Sequence, residues 1–216
     1  MQSNGRIRAA EIYYPILKKL NSFETIIRNA FPSFLQEDVE EVIKVLPLEQ
    51  SILLTNGEFH KIENLISRDQ QPVSLNGESL NIPGRVYFDE PAAEQTNYLT
   101  PIQRTILNCI YLRHHNGHVR QRRLEQMTKS SEYFTTPFTF HLLGDYVMEI
   151  LEVLDKQVSS QVLINYTRFI KENKKYWQQT ESRMTSYWNE YYRQPKFPML
   201  KDYVGRKIVK RIKEKL

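Results

Sequence analysis

Histidine and arginine side chains crowd one short segment of the sequence, residues 113–123. Three histidines and four arginines fall within these eleven residues. Imidazole titrates near neutral pH and guanidinium forms bidentate contacts with phosphate, so the segment predicts a basic edge that binds phosphate or an acidic surface. The predicted binding residues in it are Arg113, His114, His115, His118, Arg122 and Arg123.

The same segment, with Cys109 one turn earlier, also contains residue types that bind zinc. Zinc needs three or four ligands that converge tetrahedrally. His114 and His115 are adjacent, and adjacent side chains on a helix point roughly 100° apart. The preferred interpretation is histidines at the end of a helix, where the helix dipole favours positive charge. We therefore predict no metal and no cofactor, and a zinc-dependent hydrolase or deaminase is kept as a third hypothesis.

Positive charge is also concentrated at the C-terminal end. Residues 167–216 hold 14 Lys or Arg against 5 Asp or Glu, whereas the other residues hold 16 against 20. A basic region on a mildly acidic body attracts phosphates or an acidic protein surface, but a solvated lysine-rich helix that keeps the protein soluble explains it equally well. The predicted binding residues of this region are Arg206, Lys207, Lys210 and Arg211.

Aromatic side chains are dense in residues 176–192, and aromatic rings among cations can stack on bases. Four large side chains in this region recur at intervals of seven, four and three, which is typical of the buried face of a helix. They are Trp177, Met184, Trp188 and Tyr191. We interpret these four as core, with Tyr187, Tyr192 and Arg193 as candidate surface contacts.

Sequence motifs of the common enzyme classes are absent. The chain has no G-x-S-x-G, no Walker-type G-K-[ST], no H-E-x-x-H, no Cys-x-x-Cys and no Rossmann glycine fingerprint. Whether the protein is an enzyme is left uncertain, with binding favoured over catalysis. Its single cysteine suits a reducing compartment, and no apolar run approaches the roughly 20 residues of a membrane span. We therefore expect a cytoplasmic protein without a membrane partner.

Helix signals dominate the chain. Thr100, Pro101 and Gln103 form a helix start with a capping box and a proline at the first position. Ser33 with Gln36 and Thr136 with Pro137 predict two further starts, and Asn116-Gly117 predicts a helix end. Residues 50–90 differ, because Asn56-Gly57 and Asn76-Gly77 each separate β-prone runs, as in a type I′ hairpin. Arg85–Phe88 is predicted as another strand.

Residues 100–156 resemble HEAT-type helical repeats. The matching positions are Gly117, Val119, Arg120, Leu124 and Met127, and then Val147, Ile150, Leu151 and Leu154. Met148 stands where the pattern has arginine. The resemblance implies helical hairpins that stack on their neighbours, a scaffold for protein or nucleic acid, and an internal role for Arg120 in bonding to neighbouring turns.

The prediction is a mainly α protein, a helical array of HEAT-like αα-hairpins with a small β-hairpin insert at about 50–90. N-terminal helices at 1–49, the insert and a helical region at 91–216 with a basic C-terminal helix form one compact domain. The predicted function is non-enzymatic binding or scaffolding through helical surfaces, with a protein as the expected partner. The alternative is a nucleic-acid-binding protein that uses the basic turn Arg113–Arg123 and the basic C-terminal region.

Overall fold

The computed structural model describes residues 20–48, 65–127, 132–194 and 196–216. In these residues the protein is mainly helical and has one two-stranded antiparallel hairpin. The predicted fold class, mainly α with a small β-hairpin insert, is confirmed. Among the described residues, no helix has the length and apolar character needed to cross a membrane.

Two helices begin the described chain, α1 at 20–28 and α2 at Gln36–Val45. The predicted capping box of Ser33 and Gln36 is wrong, because Ser33–Leu35 forms a 3-10 turn and Ser33 does not cap α2. The Gln36 amide instead donates hydrogen bonds to the carbonyl oxygens of Arg28 and Phe31, at 3.1 and 3.0 Å. Gln36 therefore closes the turn that joins α1 to α2.

The hairpin consists of β1, Gln70–Leu75, and β2, Glu78–Pro83. Leu75 pairs with Glu78, so Asn76 and Gly77 form a two-residue loop, and their φ angles of 55° and 83° are those of a type I′ turn. The prediction for this Asn-Gly pair is confirmed, whereas Asn56-Gly57 lies outside the described residues. Buried side chains of both strands face the helices: Val73, Leu75, Leu80 and Ile82.

The predicted strand Arg85–Phe88 is wrong as a regular strand. Within the described parts of the chain only Val86 pairs, in isolated bridges with Ile66 on one side and His114 on the other. The chain leaves the hairpin at Gly84 and runs between two separate segments, so each neighbour supplies a single pairing residue.

Three helices follow: α3 at Ala93–Thr96, α4 at Pro101–Tyr111 and α5 at Gly117–Glu125. The capping box of Thr100 and Gln103 at the start of α4 is confirmed. The predicted helix end at Asn116-Gly117 is wrong. The Asn116 side chain accepts a hydrogen bond from the His118 N–H at 2.9 Å, so it caps the start of α5, and α4 has already ended five residues earlier.

The remaining helices are α6 at Thr136–His141, α7 at Met148–Gln157, α8 at Ser160–Glu172, α9 at Lys174–Tyr187 and α10 at Val204–Lys213. Thr136 is the first residue of α6 and not its cap, because a 3-10 turn at Tyr133–Thr135 leads directly into the helix. A second 3-10 turn, Leu142–Gly144, joins α6 to the segment before α7, and a third, Leu200–Asp202, precedes α10.

The helix α9 continues into a π-helical turn at Trp188–Tyr192. Trp177 and Met184 are buried and Trp188 is partly buried against the core, as predicted, but the Tyr191 side chain is 54% exposed. The prediction of Tyr191 as core is therefore wrong. A π-helical turn contains more residues than an α-helical turn, so it rotates Tyr191 away from the apolar line.

One hydrophobic core contains side chains from the helices and from the hairpin. The helix α2 packs on α4, α5 packs on α7, α7 packs on α10, and α8 packs on β1. The helix α9 packs along the turn Leu142–Gly144, which brings this turn beside the middle of the longest helix described. The resemblance of residues 100–156 to HEAT-type repeats stays a prediction.

Candidate anion-binding site

The predicted basic turn at 113–123 divides into an inward and an outward part. Arg113 and His114 are buried, at 1% and 5% exposure, whereas His115 and His118 are exposed. His114 Nδ1 accepts a hydrogen bond from the Asn116 N–H at 3.1 Å. Burial, and then the neighbouring His115, lower the pKa of His114. The histidines therefore do not form one shared basic edge.

Arg122 and Arg123 share one acidic partner. Both guanidinium groups bind Glu90, Arg123 at 2.7 Å. Arg123 also donates to Asn108 Oδ1 at 3.1 Å and lies over the Tyr111 ring, 4.9 Å from its centroid. These arginines line a cleft of about 810 Å³ between α4 and α5. Much of their charge is balanced within the protein.

The predicted C-terminal binding residues are also largely paired. Arg206 binds Glu181 at 3.0 Å, and Lys213 binds the same carboxylate. Arg211 forms an ion pair with Asp155, and Lys210 lies 3.8 Å from Glu214. Lys207 is exposed. This face is thus a surface of alternating charges, and such pairs contribute little to stability.

The side chains considered for zinc point in different directions. His114 faces the interior, while His115 stacks on Tyr87 with ring centroids 5.3 Å apart. Cys109 is fully buried, and burial raises the pKa of its thiol well above the usual range. Within the described parts of the chain, no three His, Cys, Asp or Glu side chains converge as metal ligands would.

A cluster of four arginines lies beneath the turn that follows β2. We call Arg85, Arg113, Arg120 and Arg183 the arginine cluster. Arg113 and Arg85 converge on one atom, since both donate to the Gly84 carbonyl oxygen, Arg85 Nη1 at 3.3 Å. Arg113 Nε also donates to the Pro83 carbonyl at 2.8 Å. The short bends at Pro83-Gly84 and after α4 therefore bring two guanidinium groups together.

Arg120 is the one member with a carboxylate partner among the described residues. Its Nε and Nη2 donate to the two oxygens of Asp145, both at 3.0 Å, and both residues are buried. Its Nη1 donates to the carbonyls of His114 and His115 at 2.8 and 2.9 Å. The internal role predicted for Arg120 is confirmed, because it ties the start of α5 to the turn before α7.

Arg183 reaches the cluster from α9. Its guanidinium lies directly on Gly144, where a methyl group added to the glycine would come within 2.4 Å of Nε. Gly144 precedes Asp145, so the same turn positions Arg183 and Arg120. Gly144 does not have a φ in the left-handed region, so backbone conformation does not account for the glycine. The close approach of the Arg183 side chain does.

Several buried donors of this cluster have no hydrogen-bond partner among the described residues. They are Arg113 Nη1, Arg183 Nε and Arg183 Nη2. In the same part of the chain no carboxylate lies within ion-pair distance of Arg85, Arg113 or Arg183. Buried charges in proteins are usually paired, since a lone one is costly. The cluster therefore presents several donors and little negative charge.

His141 and Tyr176 complete the surroundings of the cluster without balancing its charge. His141 Nδ1 and the Tyr176 hydroxyl are 2.6 Å apart. Burial, and then the charges of Arg113 and Arg183, hold the pKa of His141 well below its usual range, so the imidazole is neutral at pH 7. Burial raises the pKa of Tyr176 more than the nearby arginines lower it, so the phenol is also neutral.

The pKa values of Arg113 and Arg85 reflect the close approach of several positive charges. Burial, and then the neighbouring charge of Arg85, lower the pKa of Arg113 to about 9. Burial, and then Arg120, lower the pKa of Arg85. Within the described residues, four guanidinium groups face the single carboxylate of Asp145. An anion that entered here would accept charge-assisted hydrogen bonds, which are shorter and stronger than neutral ones.

The sequence pattern indicates Arg113 as a site residue but not Arg85 or Arg183. A signal for Arg183 is present. Tyr176, Thr180, Arg183, Tyr187 and Tyr191 follow one another at intervals of four, three, four and four, so they lie along one line of α9 and its π-helical turn. The apolar line of Trp177, Met184 and Trp188 beside it is more obvious and obscures this second line.

Comparison with protein-family models, with curated proteins and with solved structures gave no match to this chain. The arginine cluster itself is therefore the basis for a proposed function.

Proposed function

We propose that this protein is a binding protein that holds an anionic group of its partner, a phosphate in particular, in the arginine cluster. The observation that carries the proposal is the set of buried, unpartnered guanidinium donors on Arg113 and Arg183 among the described residues. Two oxygens of a phosphate group accept such donors in bidentate geometry, which arginine offers and lysine does not. Arg85 and Arg183 are only partly buried, so the arginine cluster borders the surface of the protein.

A binding role fits the other features better than catalysis does. His141 and Tyr176 are poorly suited to general acid–base catalysis, because burial lowers the pKa of His141 and raises the pKa of Tyr176, so both lie further from pH 7 than usual. The resemblance of residues 100–156 to helical-repeat scaffolds supports the same role. A protein partner is the expectation from the sequence, and the ion pairs of Arg206 and Arg211 leave the C-terminal region less free charge for a nucleic-acid track.

Thermal and chemical denaturation in phosphate tests this proposal. A ligand that binds only the folded state stabilises it, by about 2.7 kcal/mol at 100 times its Kd. We expect inorganic phosphate, at ionic strength matched with chloride, to raise the melting temperature of the wild type. Arg85→Gln should abolish this increase, because it removes one of the converging guanidinium groups.

Arg122→Gln is the matched control, since Arg122 is an exposed arginine bound to Glu90. It should keep the full response to phosphate. An equal response of the wild type and Arg85→Gln, or no response of the wild type, would show that the cluster does not hold phosphate.

A further inference from the structure

Four tyrosines lie immediately outside the arginine cluster. We call Tyr146, Tyr187, Tyr191 and Tyr192 the tyrosine cluster. Tyr146 is 5.8 Å from Tyr187 and 6.4 Å from Tyr191 between ring centroids, and Tyr187 is 6.0 Å from Tyr191. The Tyr192 hydroxyl donates to the Tyr146 carbonyl at 2.5 Å, which ties the end of α9 to the segment before α7.

The arginine cluster and the tyrosine cluster are adjacent in the sequence and in contact in the structure. Tyr146 follows Asp145, the partner of Arg120, and the Arg120 guanidinium lies 5.8 Å from the centroid of the Tyr146 ring. Tyr187 is one helical turn after Arg183 on the same line of α9. The tyrosine rings therefore border the arginine cluster on the side of Arg120 and Arg183.

Two of these rings are exposed to solvent, whereas Tyr187 and Tyr192 are partly buried. Tyr146 and Tyr191 are 42% and 54% exposed, which is high for large side chains that also contact each other. Tyrosine is enriched at protein interfaces because its ring is apolar and its hydroxyl can bond at the rim. The exposed rings beside a charged cluster thus form a surface suited to a polypeptide that carries an anion.

The charges around the arginine cluster favour a ligand with a single phosphate over a nucleic-acid strand with many. Among the described residues, the positive charge without a carboxylate partner is concentrated at Arg85, Arg113 and Arg183, and the surface next to it carries carboxylates as well as the exposed Arg193. Glu190 lies in the π-helical turn, and Glu149 is near enough to Tyr192 for its charge to act on that phenol. A nucleic-acid strand would place further phosphates against these carboxylates, whereas a peptide would not.

A phosphate monoester carries about two negative charges near pH 7, and a phosphodiester carries one. Three arginines without a carboxylate partner among the described residues match the dianion better. Recognition of phosphorylated segments by clustered arginines is also an established binding mode in proteins.

We propose that the occupant of this site is a phosphorylated side chain of a protein partner, with its phosphate in the arginine cluster and its flanking residues on the tyrosine cluster. This inference rests on the proposed anion-binding function and adds the class of partner. It assigns the exposed tyrosines to recognition of the polypeptide and the arginines to recognition of the phosphate.

Fluorescence anisotropy with short degenerate peptides tests this inference. The probes are pools with a fixed central phosphoserine, a fixed central phosphotyrosine, or the unphosphorylated residue. We expect a phosphorylated pool to bind and its unphosphorylated counterpart not to bind. The two phosphorylated pools distinguish which phosphorylated residue the site prefers.

Substitutions separate the two clusters in the same experiment. Arg183→Gln should weaken binding of the phosphorylated pool by about tenfold or more, the loss of a charge-assisted contact. Tyr191→Ser should weaken it several-fold. Tyr98→Ser is the matched control, because Tyr98 is 71% exposed and belongs to neither cluster. The Tyr98→Ser variant should bind the phosphorylated pool with the affinity of the wild type.

The outcomes also separate this inference from the proposed function. If inorganic phosphate stabilises the protein but phosphorylated pools bind no better than unphosphorylated ones, the anion site stands and the phosphorylated protein partner is wrong. Unchanged affinity in Tyr191→Ser and Tyr146→Ser would remove the tyrosine cluster from recognition. Tight binding of a 5′-phosphorylated oligonucleotide, with affinity that falls steeply as salt increases, would identify a nucleic acid instead.

Discussion

Arg120 and Arg183 lie on either side of one turn, yet their surroundings differ in kind. Arg120 has both oxygens of Asp145 and two backbone carbonyls as acceptors. Arg183 has two buried donor atoms without a partner among the described residues. The first arrangement is what a structural arginine requires, and the second is what a ligand-binding arginine would show.

Removal of the Asp145 charge should therefore be strongly destabilising. Asp145→Asn leaves Arg120 buried without a countercharge and increases the net positive charge of the arginine cluster. Breaking a buried pair in this way costs about 3–5 kcal/mol. Urea denaturation measures the change in the free energy of unfolding.

Glu181→Gln provides the comparison, since Glu181 pairs with Arg206 and Lys213 at the surface. There we expect a change of no more than about 1 kcal/mol. Similar losses in the two variants would mean that the Arg120–Asp145 pair is not the structural element described.

Gly144→Ala tests the placement of Arg183. The new methyl group would come within 2.4 Å of Arg183 Nε, so the flexible guanidinium must move away. We expect the response to phosphate to fall while stability in phosphate-free buffer changes little. In combination with Arg183→Ala, the glycine substitution should cause no further loss, which a double-mutant cycle measures. Additive losses would show that Gly144 acts independently of Arg183.

His141 makes stability depend on pH in a defined direction. Its pKa in the folded protein lies well below the ordinary histidine value of about 6.5. The unfolded chain therefore binds more protons between these two values, and the free energy of unfolding decreases as the pH falls below about 6.5. One such group contributes at most about 1.4 kcal/mol per pH unit.

Denaturation midpoints between about pH 8 and pH 5, in buffer without phosphate, measure this dependence. His141→Asn should flatten the curve, and comparison with the wild type at the alkaline end controls for any loss of packing. His114, whose pKa is also lowered, accounts for part of the remaining slope. An unchanged slope in His141→Asn would contradict the burial of a neutral imidazole.

At the scale of single elements, the sequence predicts the caps and turns that a few adjacent residues determine. The capping box of Thr100 and Gln103 and the turn at Asn76-Gly77 are local, so their residue types determine them. The π-helical turn that exposes Tyr191 is not predictable in this way. The Trp188 indole N–H donates to the Phe197 carbonyl at 2.9 Å, a contact that depends on how the chain folds back after α9.

The type I′ turn of the hairpin is a locally determined element that substitution can test. Gly77 has a φ of 83°, and a side chain in the left-handed region costs about 1–2 kcal/mol. Gly77→Ala should lower the free energy of unfolding by about that amount, although no atom lies within 4 Å of the added methyl group. Asn76→Gly, which suits the same turn, should have a smaller effect. Equal effects would contradict the type I′ assignment.

Across the molecule as a whole, the helical class and the hairpin follow from composition and periodicity, but the arginine cluster does not. Its members come from the turn after β2, the end of α4, the start of α5 and the middle of α9. Only the packing of α9 on the turn Leu142–Gly144 brings Arg183 to the others. A sequence shows the charge of each arginine and does not show which of them lack a carboxylate after folding.

The proposed function depends on buried arginines whose unpartnered donors bind phosphate. Nuclear magnetic resonance of the arginine side-chain Nε–H groups, during a titration with inorganic phosphate, observes those donors themselves. We expect the Arg183 Nε–H signal, which has no acceptor among the described residues, to shift in a saturable manner together with that of Arg85, while the Arg122 signal stays in place. Shifts confined to Arg122, Arg206 and Arg211, or no saturable shift at all, would contradict phosphate binding by the cluster.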